Sequence, residues 1–250
     1  MFKKLLIVFA SATVLSIVSL TGAWMAGGAD FRRTVWQDGN WEWNIGEDDE
    51  DLGPVETRSF AVESGSRIAM EIPVELSFTR SDQAGMTVKG PAKLLERLVW
   101  KDGRLTLKGK SNRWRHNLKV TITAPEIQSL DLEAPGDVKM VGLDQDQLTV
   151  GANGALQLDA EGKVRKITVT SNGAGDIDLR KVTGEEVRVE INGAGDVVMG
   201  PSRIADIELN GAGQVTLVRK PEVLRSQING AGSIKHNYAD KPHAARRTAM

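Results

Sequence analysis

The chain has 250 residues and a formal net charge of −1, with 32 Lys and Arg set against 33 Asp and Glu. That balance excludes a generally basic nucleic-acid binder and gives no pull toward an anionic membrane surface. There are 26 glycines and no cysteine, which excludes a disulfide framework, a thiolate zinc site and a cysteine nucleophile.

Lys3 and Lys4 lead into an apolar run from Leu5 to Leu20, followed by the small residues Gly22, Ala23, Ala26 and Ala29. This is the pattern of a secretory signal peptide in residues 1–29 or, if uncleaved, of an N-terminal anchor, since about 20 apolar residues cross a bilayer. Either way the chain is expected to be exported, to the periplasm or the cell envelope. "L-T-G-A" at Leu20–Ala23 carries Ala where a lipidated cysteine would stand, so no lipid anchor is expected. Residues 30–56 read as a linker with Trp36, Trp41 and Trp43 and an acidic run, Glu47–Asp51. The run lacks the alternating ligands of a calcium loop and reads as solvated. The tryptophans are expected to dock on the domain that follows.

From residue 57 the chain alternates as strands do. Strands are predicted at "R-S-F-A-V" (58–62), "R-I-A-M-E-I" (67–72), "V-E-L-S-F-T-R" (74–80) and "M-T-V-K-G" (86–90). "P-A-K-L-L-E-R-L" (91–98) predicts one short helix with Pro91 in its first turn. "L-V-W-K-D-G-R-L-T-L-K" (98–108) predicts a hairpin turning at Asp102 and Gly103. A further strand, 118–125, closes on Pro125. Between them, "N-R-W-R-H" (112–116) reads as a solvated loop with an anchoring Trp, in preference to a surface that stacks sugars or bases.

Then a repeat begins. "N-G-A-G" occurs at Asn172, Asn192, Asn210 and Asn229. Its second glycines are Gly175, Gly195, Gly213 and Gly232, and Gly136 and Gly154 extend the series backwards at spacings of 18, 21, 20, 18 and 19 residues. Apolar residues alternate with polar ones on both sides of each glycine, a period of two that excludes a helix. A corner that returns at one phase every 18–21 residues predicts a coil of parallel strands, each turn stacked about 4.8 Å from the next. The predicted fold is all-β: a parallel β-solenoid (β-helix) over residues 57–237, with a less regular β-rich N-terminal half and a polar tail, 238–250. The glycines are then corners that need positive φ, and the asparagines a column of amides bonded along the stack. A phosphate cradle would need a helix start and a nearby Lys, whereas strands flank every copy. On this reading Gly195→Val forces a branched side chain to positive φ.

The opening half, Arg67–Arg80 with the 98–108 hairpin and "L-K-V-T-I-T-A-P-E-I-Q-S-L-D-L" (118–132), together with the "G-A-G-D-V" and "G-A-G-D-I" corners, resembles the auto-transporter adhesin head GIN domain family over residues 60–237. The resemblance implies an exported envelope β-solenoid and no catalytic residues. The last residues, "H-A-A-R-R-T-A-M", are polar, so the membrane barrel of an auto-transporter is not expected there.

Polysaccharide-cleaving solenoids group carboxylates on one face, and this chain has one such group. Asp176 and Asp196 follow their glycines at equal phase and should lie in adjacent rungs, with Asp178 on the same outer face. They form a candidate ligand face for a cation or an acid/base pair, although Asx-turn chemistry already explains the residue type. The calcium-binding nonapeptide repeat also reads Gly-x-Gly-x-Asp, but its period is nine. His116, His236 and His243 have no metal-ligand spacing. The expectation is a non-enzymatic binding or structural module with no cofactor or metal and no catalytic residue. Its partner would be an envelope or extracellular ligand, carbohydrate or protein, and not nucleic acid. The alternative is a polysaccharide-active enzyme using Asp176, Asp178 and Asp196.

Overall fold

The computed structural model describes residues 52–109, 118–201 and 203–238. The export segment, the tryptophan and acidic parts of the linker, the 112–116 loop and the tail beyond Tyr238 lie outside the described residues. So do His116 and His243.

The elements in chain order are β1 (Val55–Phe60), β2 (Ser66–Met70), β3 (Val74–Arg80), β4 (Gly85–Pro91), α1 (Ala92–Glu96), β5 (Leu98–Lys101), β6 (Arg104–Leu107), β7 (Leu118–Ala124), β8 (Ile127–Leu132), β9 (Gly136–Ala152), β10 (Leu156–Ser171), β11 (Ala174–Thr183), β12 (Glu186–Met199), β13 (Ile204–Leu217) and β14 (Val223–His236). The chain coils into a parallel β-solenoid of about five turns. β9 to β14 pair in parallel, each on the next, and β10 also pairs with β12 because β11 covers only one arm of its turn. Below this stack, β3 and β8 seat the two arms of β9.

The N-terminal half closes one end with a change of strand direction. β7 runs parallel to β3, but β4 runs antiparallel to β7, and β1 antiparallel to β4. The β5–β6 hairpin turns at Asp102 (φ 51) and Gly103 (φ 76), the positive angles that an Asp-Gly pair supplies. Pro91 stands one residue before the helix, at its N-cap with φ −60 and ψ 136, and not in the first turn. There it ends β4, which runs up to the cap.

Alternation of side chains puts Val, Ile, Leu and Met from both arms of every turn into one core, with Phe78 as its buried aromatic ring. Each such side chain contributes about 1.5–3 kcal/mol on burial. Among the described residues the polar exception is Ser171, wholly buried and with no hydrogen-bond partner for its hydroxyl. It stands between Ala152 and Ile191 in a column that is otherwise apolar.

Three features of the corners were not read from the sequence. First, pairing runs through them: β12 and β13 match residue for residue through Asn192–Gly195 and Asn210–Gly213. Corners that stack in register let the chain bend without losing its ladder.

Second, Gly154 is not in the phase of Gly175. Leu156 pairs with both Gly136 and Gly175. Residues 153–156, "N-G-A-L", are therefore the copy of the tetrapeptide in that turn, and Gly154 belongs to the column of first glycines with Gly173, Gly193, Gly211 and Gly230. The error was two residues, which leaves the inward and outward faces unchanged, so alternation alone could not expose it.

Third, positive φ is found at Gly193 (154°), Gly211 (149°), Gly213 (156°) and Gly230 (138°), but not at Gly136, Gly154, Gly175, Gly195 or Gly232. At Gly195 the reason for glycine is space: a Cβ there would sit on the carbonyl oxygen of Gly175 in the rung beneath.

Three outcomes follow for stability. Gly195→Val is expected to cost roughly 2 kcal/mol or more, since its obstacle is backbone that cannot rotate away. Gly232→Val should cost less, because its added carbon meets the side chains of Leu209 and Ile228 in a rung with one neighbour; equal melting temperatures for the two variants would contradict the stacking account. Ser171→Ala should raise stability by about 1 kcal/mol, because it removes a buried hydroxyl that nothing satisfies. Denaturant titration measures it, and a loss of similar size would mean that the hydroxyl is bonded.

Candidate functional site

The corner carries the most regular polar array among the described residues. The Nδ2 of Asn172 donates to Oδ1 of Asn153 at 2.9 Å, Asn192 to Asn172 at 2.9 Å, Asn210 to Asn192 at 2.8 Å, and Asn229 to Asn210 at 2.7 Å. Asn153 donates in turn to Glu133 at 2.8 Å. Glu190 and Glu208 each accept a second bond from the asparagine two residues on. The ladder thus has five asparagines, one more than the four named from sequence. Asn153 was missed because its turn was aligned on Gly154; its signal was "N-G-A-L" lying 19 residues before Asn172. An amide ladder whose donors and acceptors bond to each other is built to hold turns together.

Just past the corner, the structure brings the candidate carboxylates together as the spacing required. Asp176 and Asp196 are register partners. Asp178 is the register partner of Asp159, a carboxylate the sequence reading did not place in the group. These groups already have partners. Asp196 Oδ1 accepts the backbone N–H of Gln214 in the next rung at 2.9 Å. Asp178 accepts the backbone N–H of Arg180 at 3.0 Å and its guanidinium Nε at 2.7 Å. The Arg180 guanidinium is held above its ordinary value chiefly by that side-chain bond, and the charges of Asp159 and Asp176 add to it. Arg180 therefore forms its ion pair with Asp178, while Asp159 and Asp176 act on it through their charges alone. Among the described residues, no three His, Asp or Glu side chains form a group with the geometry to hold a metal ion.

Asp137 lies in the same outer column, paired with Glu75 on one side and Gln157 on the other. Its carboxyl is raised above its ordinary value, first by partial burial, then by the charges of Glu75 and Asp159, with Lys139 opposing. A second polar feature lies at the far bend of the turns. It is an open groove of about 570 Å³ lined by Asp144, Asp146, Lys163, Arg165, Glu185 and Arg219, among others. Arg165 pairs with Asp146 at 3.1 Å across adjacent turns, and that bond lowers the Asp146 carboxyl. The sequence reading missed this groove, because its charges fall between the apolar positions on which the repeat was aligned.

A sequence model for the family described as "Putative auto-transporter adhesin, head GIN domain" matches residues 66–221. The chain belongs to that family. Comparison with curated proteins gave no match. Among solved structures, the GIN-domain chain is similar to a protein from Bacteroides fragilis called a putative adhesin, with 20% identity and a TM-score of 0.56 over 73% of this chain and 97% of that one. A protein of the same description from Parabacteroides merdae has 16% identity and a TM-score of 0.46 over 74% of this chain and 96% of that one. At 20% identity the first of these likenesses shows the fold alone.

Two measurements test the outer face. The raised carboxyl of Asp137 means that the folded state binds its proton more tightly than the unfolded chain does. Stability should therefore fall as pH rises from the unfolded value, about 3.9, through the folded one. Asp137→Asn should melt higher than the parent at neutral pH, with the gain fading below pH about 4; a gain independent of pH would contradict this electrostatic account. With Asp178 paired to Arg180 and Asp196 bonded to the Gln214 amide, millimolar Ca2+ should leave the melting temperature unchanged. A cation present at 100 times its dissociation constant would add about 2.7 kcal/mol, and an upward shift lost in Asp176→Asn would establish a cation site.

Proposed function

We propose that the protein is an exported, non-enzymatic binding or structural module of the cell envelope, adhesin-like in role, that engages an extended carbohydrate or protein through its outer faces. The family description and the names of its structural neighbours support the adhesin-like part. The basic start and apolar run of residues 3–20 support export.

The observation that carries the non-enzymatic reading is the state of the best carboxylates. A general acid or base must be able to exchange its proton with a substrate. Asp178 is tied to Arg180, and Asp196 to the Gln214 amide. What the outer face offers is a row of polar groups repeated along the stack: Glu75, Asp137, Gln157, Asp176, Asp196, Gln214 and Ser233. Such a row matches a ligand that is itself extended and repetitive, with many weak contacts in place of one deep pocket.

The rival reading is a polysaccharide-active enzyme, favoured by the convergence of Asp159, Asp176 and Asp178. A glycan array and an envelope pull-down, run beside a reducing-end assay on the retained glycans, decide between them. The expected result is retention without cleavage. Release of new reducing ends that is abolished by Asp176→Asn would establish the enzyme instead.

A further inference from the structure

The two ends of the stack are finished differently. At the N-terminal end the edge strand β1 is short, carries Glu56 and Arg58, and is tied down: the Arg58 guanidinium donates to the carbonyls of Leu95 and Leu98 and lies 4.9 Å over the Phe60 ring. Short, charged edges resist further pairing. At the other end, β14 is a 14-residue edge in full register with β13, and no described strand covers it. Val223, Leu224 and Ile228 stand exposed on it at 41%, 38% and 36%. Leu224 and Ile228 continue the core columns of Ala205 and Leu209.

We propose that this edge docks a second copy of the chain, β14 against β14 and antiparallel, about a two-fold axis through Ala231. The corner identifies the occupant. β14 bends at Asn229–Gly232, and at the glycine columns adjacent rungs approach so closely that a Cβ would strike the neighbouring carbonyl, as Gly230 would strike Gly211. An ordinary extended peptide fits one arm of β14 but not the bend. A second β14 has the same bend and the same missing Cβ atoms, and a two-fold axis through the corner exchanges its arms.

The register then follows by counting outward from Ala231. Gly230 faces Gly232, Ile228 faces Ile234, Ser226 faces His236 and Leu224 faces Tyr238, all on the inner face. On the outer face Asn229 meets Ser233, Gln227 meets Lys235 and Arg225 meets Asn237. No like charges stand opposite each other, apolar residues meet apolar or aromatic ones, and strand pairs of this kind are the unit of sheet stabilisation. The contact is isologous and closes on itself, so it gives dimers and not fibres.

The chain has no cysteine, so a single introduced thiol reports the contact in the intact protein. Ala231 sits on the proposed axis, where paired Cα atoms lie about 4.5–5.5 Å apart, within disulfide reach. Full-length A231C, oxidised in its native membranes or extract, should run as a covalent dimer of this chain. A194C, at the same phase two rungs inside the stack and also exposed, should not. Ile228→Asp should raise the dimer dissociation constant roughly tenfold or more in sedimentation equilibrium with little change in melting temperature. Four outcomes overturn the proposal: equal cross-linking at both positions; monomeric wild type at micromolar concentration; a disulfide to a different protein, which would mean a partner strand; and an A231C thiol that resists both dimerisation and small alkylating reagents, which would mean the same chain covers its own edge.

Discussion

The structure depends on how closely one turn can approach the next at its bend. Strands in a sheet pair at a fixed spacing of about 4.8 Å, and a coil keeps that spacing around its corner only if nothing projects along the stacking axis there. At Gly193, Gly195, Gly211, Gly213 and Gly230 an added Cβ would land on the carbonyl oxygen of the rung beneath. Two columns of glycine remove that obstruction, and the ladder runs unbroken through β12, β13 and β14. Once the turns can close up, the asparagines beside the glycines come within bonding distance of each other, and the alternating Val, Ile, Leu and Met side chains of each turn bury those of the next. Core, ladder and corner are three consequences of one steric condition.

The same condition explains where the array is irregular. Leu156 interrupts the second glycine column in the turn where Gly136 lies beneath and Gly175 above. Above it, an added carbon at Gly175 would meet the Ser171 hydroxyl and not a rung carbonyl. A side chain in the column and a small polar residue in the core occur at the same corner. Toward the N-terminus the chain leaves the coil by reversing direction at β4, so the polar edge of the stack meets an antiparallel strand and not water.

Much of this was legible in the sequence because a solenoid writes its geometry as a period. The strand arms, the hairpin at Asp102 and Gly103, the β9–β14 coil and the pairing of Asp176 with Asp196 all follow from spacing and alternation. The misreadings share a physical origin. Alternation reports which face a residue occupies but not its position along the arm, so the slip of two residues at Gly154 cost no hydrophobic match and hid Asn153. Glycine was attributed to φ because φ is a property of one residue, whereas the obstruction at Gly195 comes from Gly175, in the preceding turn. The partners that engage the acidic face were equally hidden. That Arg180 would close on Asp178, or the Gln214 amide on Asp196, depends on rotamers and inter-turn geometry that no spacing encodes.

The central claim is that the turn is a module whose phase is set by the glycine corner, and removing one turn tests it most directly. Deleting residues 193–210 joins Asn192 to Gly211 and restores "N-G-A-G" with one rung fewer. The account predicts a shorter solenoid that keeps its β-sheet circular dichroism and a cooperative melt at somewhat lower temperature, since each rung adds its own interfaces. Deleting residues 194–210 removes one residue fewer and turns the inward side chains of the joined arm outward, so that chain should fail to fold. If the two deletions melted alike, the glycine corner would not be what sets the phase of the stack.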